Sequence, residues 1–459
     1  LRFSAAKGAL TEDLRHRLSG LKSAIIEHLS EPEPGAIRPL PPEAEAPLSF
    51  AQQRLWFLEQ MGDIGAAYTL PLTLELRGKL DVPALEKAIV EVVRRHRVLR
   101  TVFRAANGYP KAVVLPARNF RLAIEDLSDT DSEDARDLAQ YSLRRDAERP
   151  FDLANDLLLR GRLIRLADDH HLLALTAHHA ATDGWSLSIL GEEISAAYRR
   201  VRGNGSAEPP PDLAIQYSDY AAWQRQHLQG AEMERRIARW RTMLDGAPTI
   251  LDMPTDKVRP AVFSYRGDRK RFTVPAETVR RIETLARDHG ATPYFVLFAA
   301  FAVLLHRIGG PEDMLVGTTV ANRTQPELEN LIGLFVNTLP LRVDASGDPT
   351  FTELLKRVRA FALDALELQD TPFESLVDAL GLERHLSHAP LIQTMFTFLN
   401  APPGRLDLGS VEVHALPSDP GISQFDLSLT LEADGQGGLS GFIDYATDLF
   451  EETTAARWA

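Results

Sequence analysis

The chain of 459 residues exceeds the length at which one hydrophobic core usually keeps growing, so two lobes or domains are expected. With 44% hydrophobic and 25% charged residues it has the composition of an ordinary globular protein, and a net charge of −13 without any long basic run excludes nucleic acid as a natural partner. It contains no cysteine, which rules out disulfides, thiolate metal sites and a cysteine nucleophile and agrees with a cytoplasmic location.

In chain order, Leu14, Leu18, Leu21, Ile25 and Leu29 recur at spacings of three and four. They predict an amphipathic helix or helix pair with Thr11 as N-cap and a break near Gly20. Leu1 to Leu10 shows neither a long apolar stretch nor a small-residue cleavage site, so no secretory signal is expected. Residues 32–47 carry Pro32, Pro34, Pro39, Pro41, Pro42 and Pro47 and read as a linker. Asp81 then caps a helix whose core face is Leu85, Ile89, Val92 and Val93, and Val98 to Phe103 reads as a strand. The basic cluster Arg94, Arg95, His96 and Arg97 is either a solvated helix face or a landing place for an acidic partner.

His171 to Ala177 reads as a second strand, leading into the loop His178 to Gly184 and a helix with Leu187, Leu190 and Ile194. Prolines 209 to 211 precede an aromatic helix with Tyr217, Tyr220 and Trp223. After Pro254 the alternation of helices and strands starts again. The apolar run Tyr294 to Leu305 is too short to cross a bilayer and reads as a buried helix, opened by Thr292 and Pro293 and closed by Gly309 and Gly310, so no membrane is expected. The expected division is a partial segment at 1–31, the linker at 32–47, and two lobes at 48–225 and 226–459.

His178-His179-Ala180-Ala181-Thr182-Asp183-Gly184 lies where a strand ends and a helix begins. Successive strand side chains point to opposite faces, so the two histidines cannot enter one cavity: one is available for chemistry while the other packs. Divergent histidines without a third nitrogen or sulfur donor at helical spacing do not make a metal site. A hydrolase triad is not expected either, because no G-x-S-x-G elbow and no cysteine occurs.

This segment resembles the HHxxxDG motif of the condensation domains of nonribosomal peptide synthetases. Further stretches are similar to the family's other signatures in order: Ser49 to Leu58, Arg95 to Phe103, Tyr217 to Arg225, Ile332 to Arg342, and Gln369 to Glu374. Leu368 stands where relatives often have His or Asn, Arg97 where an acidic residue is common, and the signature around Arg384 to Pro390 is only partly recognisable. The resemblance implies an α/β fold of two chloramphenicol-acetyltransferase-like lobes forming a V-shaped pseudo-dimer with a central channel. It also implies amide bond formation between a donor thioester and the amine of an aminoacyl thioester.

His179 is then the catalytic residue, as a base or as a group that orients the amine. Asp183 is structural, paired with the second arginine of the second signature, Arg100, and fixing the histidine loop. Gly184 permits a tight turn or helps shape an oxyanion site. Trp185, Ser186 and Asn337 are candidate substrate-binding residues. Asn337 is placed to hydrogen-bond a pantetheine amide or else to be satisfied in the core, while Trp56, Trp185 and Trp223 also read as packing.

Intact histidines followed by Trp185-Ser186-Leu187 are most similar to domains that condense an L-configured or acyl donor with an L-amino acid. The domain itself is expected to bind no cofactor and no metal. Its substrates ride on the 4'-phosphopantetheine of donor and acceptor carrier proteins, or the donor is an acyl-CoA, as in lipid-initiating starter domains. Leu1 to Thr11 and the helix after it resemble the latter half of the docking domain of tubulysin-type synthetases, which implies that the domain opens its polypeptide and receives its donor from an upstream subunit. An adenylation domain is the expected neighbour. A free-standing acyl-CoA acyltransferase and a non-catalytic carrier-binding platform are the alternatives.

Overall fold

The computed structural model describes Leu21, 35–41, 44–61, 65–106, 108–203, 208–383, 385–399, 406–417 and 421–459. The segment expected at 1–31, with Thr11 and the leucine stripe, lies outside the described residues except for Leu21. The described part of the linker is irregular.

The first half contains α1 (Phe50–Met61), β1 (Thr69–Arg77), α2 (Val82–Arg95), the hairpin of β2 (Thr101–Ala106) and β3 (Tyr109–Val114), β4 (Leu122–Asp126), α3 (Ser132–Glu148), β5 (Leu159–Ala167), β6 (His170–His178), α4 (Gly184–Val201) and α5 (Tyr217–His227). α2 starts where Asp81 accepts a hydrogen bond from Ala84 N at 3.0 Å, and it buries Leu85, Ile89, Val92 and Val93 beside α4. Arg97–Arg100 form a single 3-10 turn before β2, where the sequence reads as continuous strand, because the turn lets both Val98 and Leu99 enter the core. β6 is buried along almost its whole length, as befits a strand with neighbours on both sides. α3 covers the opposite face of the sheet with Ala135 and Ala139 against Ile164 and Leu172.

The second half contains α6 (Gly230–Met243), β7 (Gly267–Val274), α7 (Ala276–Asp288), α8 (Pro293–Arg307), β8 (Asp313–Val320), β9 (Asn337–Asp344), α9 (Phe351–Leu366), α10 (Phe373–Ala379), β10 (Thr394–Leu399), β11 (Glu412–Ala415), β12 (Leu427–Ala433), β13 (Leu439–Ala446) and α11 (Glu452–Trp458). α8 is the buried helix read from its apolar run. Pro293 fills its first turn, and after its end Gly310 N returns to Leu305 O at 2.9 Å. Among the described residues no single helix is long and apolar enough to cross a membrane.

Each half builds its own sheet, in the orders β11-β1-β6-β5-β4 and β7-β13-β12-β10-β8-β9, with its own apolar core. The halves also interlock. β11, from the second half of the chain, pairs antiparallel with β1 and completes the edge of the first sheet. Leu331, Ile332, Leu334 and Phe335, between β8 and β9, are buried in the core of the first half. The histidine loop lies at that seam.

Candidate functional site

The ladder between β1 and β6 ends at the pair Thr69 and His178. The next backbone contact, His179 N to Tyr68 O at 2.8 Å, carries the chain one residue further before a 3-10 turn over His179–Ala181. His178 is buried, edge-on to the Phe151 ring at 5.6 Å, and its Nδ1 accepts from Ala180 N at 3.0 Å. Burial, with smaller contributions from His179 and Arg160, pulls its pKa down to about 3, so it is neutral at physiological pH.

His179 is half-buried, and its Nδ1 lies 2.8 Å from Thr182 O. A carbonyl oxygen only accepts, so Nδ1 carries a proton, and the tautomer this selects has its lone pair at Nε2. Nε2 makes no hydrogen bond with any described residue. Gln52 on α1 braces the turn from beneath through Ala180 O at 2.9 Å.

Asp183 is the buried N-cap of α4. One carboxylate oxygen accepts from Ser186 N at 2.8 Å and Ser186 Oγ at 2.7 Å, the other from Phe335 N at 3.0 Å and Val336 N at 3.2 Å. The expected pairing with Arg100 does not occur. Arg100 donates instead to the carbonyls of Val93, Arg94 and Leu115, tying the end of α2 to β3. The cation near Asp183 is Arg323, 3.4 Å away, with its side chain buried against the Phe335 ring at 4.1 Å.

Two candidate substrate-binding residues are committed to the fold. Ser186 Oγ lies within hydrogen-bond distance of Asp183, of both backbone groups of Gly333 and of Arg323, which leaves it nothing to offer a ligand. Asn337 gives both amide hydrogens to Gln369 O at 2.7 Å and Thr371 O at 2.6 Å and accepts from Phe373 N at 3.2 Å, so the core reading replaces the pantetheine contact. Trp185 is 49% exposed and donates to Glu329 O at 3.0 Å across the seam. Trp56 is buried, and Trp223 stacks between Tyr220 and His227.

Gly184 has an ordinary negative φ, and a methyl group there would meet nothing within 4 Å. Neither backbone strain nor protein packing demands a glycine, so the side-chain space beside the histidine loop is open. Among the described residues no group of three or more His, Asp and Glu is placed to hold a metal ion.

Arg323 was not picked out from the sequence. Its local signal is Asn322, at φ +52 in the left-handed region, where a short polar side chain is tolerated and turns the chain so that Arg323 points back to the seam. From the sequence Tyr217 stands only as part of an aromatic helix and of one signature, with no role of its own. Its hydroxyl donates to Leu334 O at 2.7 Å and meets Ser49 Oγ at 2.8 Å, joining both halves.

Two interlocked lobes, each a mixed sheet with helices, and a histidine motif at their junction define the two-lobed acyltransferase class to which chloramphenicol acetyltransferase-like proteins belong. Residues 42–459 match the family model of the Condensation domain, and residues 1–31 match that of the TubC N-terminal docking domain. The chain belongs to the condensation domain family of nonribosomal peptide synthetases, whose members form amide bonds.

It is 40% identical over 442 residues to malpinin synthetase of Mortierella alpina, covering 96% of this chain and 6% of that protein. It is 42% identical over 418 residues to the isonitrile lipopeptide synthase of Mycobacterium tuberculosis, covering 89% and 16%. The chain thus spans only a small part of these relatives. Among solved structures it is similar to the X-domain from teicoplanin biosynthesis, with a TM-score of 0.82, 30% identity and coverage of 92% and 94% of the two chains. SgcC5 of Streptomyces globisporus has a TM-score of 0.74 at 28% identity, with coverage of 90% and 96%.

Proposed function

We propose that this domain transfers a donor acyl, aminoacyl or peptidyl group from a thioester to the amine of an aminoacyl thioester on the downstream carrier, beside His179. The observation that carries the reading is the 2.8 Å contact between His179 Nδ1 and Thr182 O, which requires Nδ1 to be the donor. It leaves Nε2 as an unpartnered acceptor at the seam. The attacking α-amine, with a pKa near ~8, is partly neutral at cellular pH, so Nε2 need only orient it and take a proton as the C–N bond forms. Holding both tethered reactants in one place supplies much of the remaining acceleration.

The open space at Gly184 supports this reading, since it leaves room for a substrate arm next to the imidazole. Both substrates are carried on phosphopantetheine, with an acyl-CoA donor as the variant for a lipid-initiating domain. The docking segment delivers an upstream subunit, an adenylation domain is the neighbour, and the assembly works in the cytoplasm.

The test is a two-carrier assay with mass-spectrometric detection, using loaded donor and acceptor carriers. Wild type is expected to give the amide, and His179→Ala to lose about 10²- to 10⁴-fold in rate while remaining folded. A wild-type protein that yields no amide with any donor in an acyl, aminoacyl and acyl-CoA panel overturns the reading.

A further inference from the structure

Four polar side chains gather at the seam without satisfying one another. Arg54 lies on α1, the helix whose Gln52 braces the histidine turn. Its guanidinium carbon is 5.9 Å from the centre of the Phe373 ring, across the lobe boundary, yet it hydrogen-bonds no described residue. Glu374, the next residue on α10, has Oε1 shut away from solvent and without a partner. No ion pair forms between the two.

Tyr68 gives its backbone carbonyl to His179 N at 2.8 Å, which places it next to the catalytic turn. Tyr265 packs against both cores and is held at φ +58, in the left-handed region that an aromatic residue rarely adopts. Neither phenol makes a hydrogen bond with a described residue. Burial works against the charge on Arg54, but Tyr68, Glu374 and Tyr265 act on it strongly enough to hold its pKa above the ordinary arginine value. Burial raises the pKa of Glu374, with Arg54 pulling the other way.

The guanidinium and the two phenols make no hydrogen bond within the described residues, and none of their polar atoms is shut away from solvent, so these donors are open to a partner from outside the chain. Arg54 offers a rigid fork of N–H groups and the two phenols offer O–H groups, so the missing partner is an oxygen acceptor. Glu374 offsets the guanidinium charge, which disfavours a full anion and leaves a polarisable neutral oxygen as the best fit. Thioester carbonyls supply that oxygen.

We propose that Arg54, flanked by Tyr68 and Tyr265, binds the thioester carbonyl oxygen of one of the two tethered substrates, and that Glu374 keeps the guanidinium aimed at it. This inference rests on the reading that the amide forms beside His179. Arg54 is then a substrate-binding residue and Glu374 a positioning residue acting through it.

The test is calorimetric binding to the full chain, independent of turnover. The probes are donor and acceptor pantetheine analogues, each made in two forms: one with an amide carbonyl in place of the thioester carbonyl and one with a methylene there. Wild type is expected to bind the carbonyl form of one pair about ten- to a hundredfold more tightly, and the pair that shows the preference identifies the substrate. Arg54→Gln is expected to bind both forms alike, with Arg54→Lys and Glu374→Gln in between, thermal melts confirming that each is folded. Wild type without a preference in either pair overturns the proposal, as does a folded Arg54→Gln or Arg54→Lys variant that keeps the full preference. Because binding needs no chemistry, a failed amide assay and a failed carbonyl preference are separate results.

Discussion

Two adjacent histidines have opposite fates because one completes a strand and the other begins a turn. His178 is enclosed and neutral, and this has a consequence for stability. Its folded pKa of about 3 lies below the ordinary histidine value of 6.5, so the unfolded chain binds the extra proton and stability falls with acidification through that window. From about pH 7 to about pH 5 this one residue is expected to remove about 2 kcal/mol of stability. Urea midpoints measured across that range should show a shallower acid limb in His178→Asn than in wild type, whereas parallel limbs would mean that His178 titrates normally. Gly184 gives the complementary case. A methyl group there meets nothing within 4 Å, so Gly184→Ala should melt at or slightly above the wild-type temperature, while on the proposed reading its turnover falls on the order of a hundredfold because the methyl group enters the space assigned to the substrate. Unchanged turnover in that variant would assign the open space to solvent.

At the scale of elements, the central feature is the loop between β8 and β9, whose backbone is held by side chains of the first half. His96 meets Ile332 N at 3.4 Å, Ser186 meets both backbone groups of Gly333, Tyr217 takes Leu334 O, and Asp183 holds Phe335 N and Val336 N. Gly333 is required here, since a Cβ would run into the Tyr217 ring. Removing the Asp183 carboxylate takes a partner from Arg323 and from three backbone donors, Ser186 N, Phe335 N and Val336 N, in a buried site, so Asp183→Ala should lose about 3–5 kcal/mol in denaturant unfolding together with activity. A fully stable variant without activity would instead assign Asp183 to the chemistry. The elements that frame this site were largely legible in the sequence. Asp81, the apolar period of α2 and the run in α8 are local signals, and they gave the helices and strands around the histidine loop. The partners of Asp183 and Asn337 were not legible. Arg100 and Arg323 are equally plausible on charge alone, and only the crossing of the second half over the first brings Arg323 to the carboxylate. Asn337 likewise finds its acceptors at Gln369 and Thr371, a distance along the chain that no periodicity reports.

At the scale of the whole molecule, the proposed site lies at the seam, and its geometry depends on how firmly the lobes are joined. Among the connections that cross it are the loop 332–336, the packing of α10 on α1, and β11 in the first sheet. The last is the most separable. Leu416 N donates to Thr73 O at 2.9 Å, so with the two-residue period of a strand the N–H of His414 also points at β1, opposite Glu75. His414→Pro therefore deletes a ladder hydrogen bond without touching either core. The two cores carry their own reporters, Trp56 in the first and Trp240 in the second, both buried. In single-tryptophan versions of the otherwise unaltered chain, the two fluorescence transitions should coincide, because the lobes unfold as one cooperative unit. In His414→Pro the Trp56 transition is expected to move to lower denaturant by about 1–3 kcal/mol while that of Trp240 moves less, separating the two curves. Amide formation should fall with it, since reactants delivered to the two sides of the seam then meet less often in register. Coincident transitions in the variant would place the cohesion of the lobes in the loop 332–336 and the α1–α10 contact, with β11 contributing little.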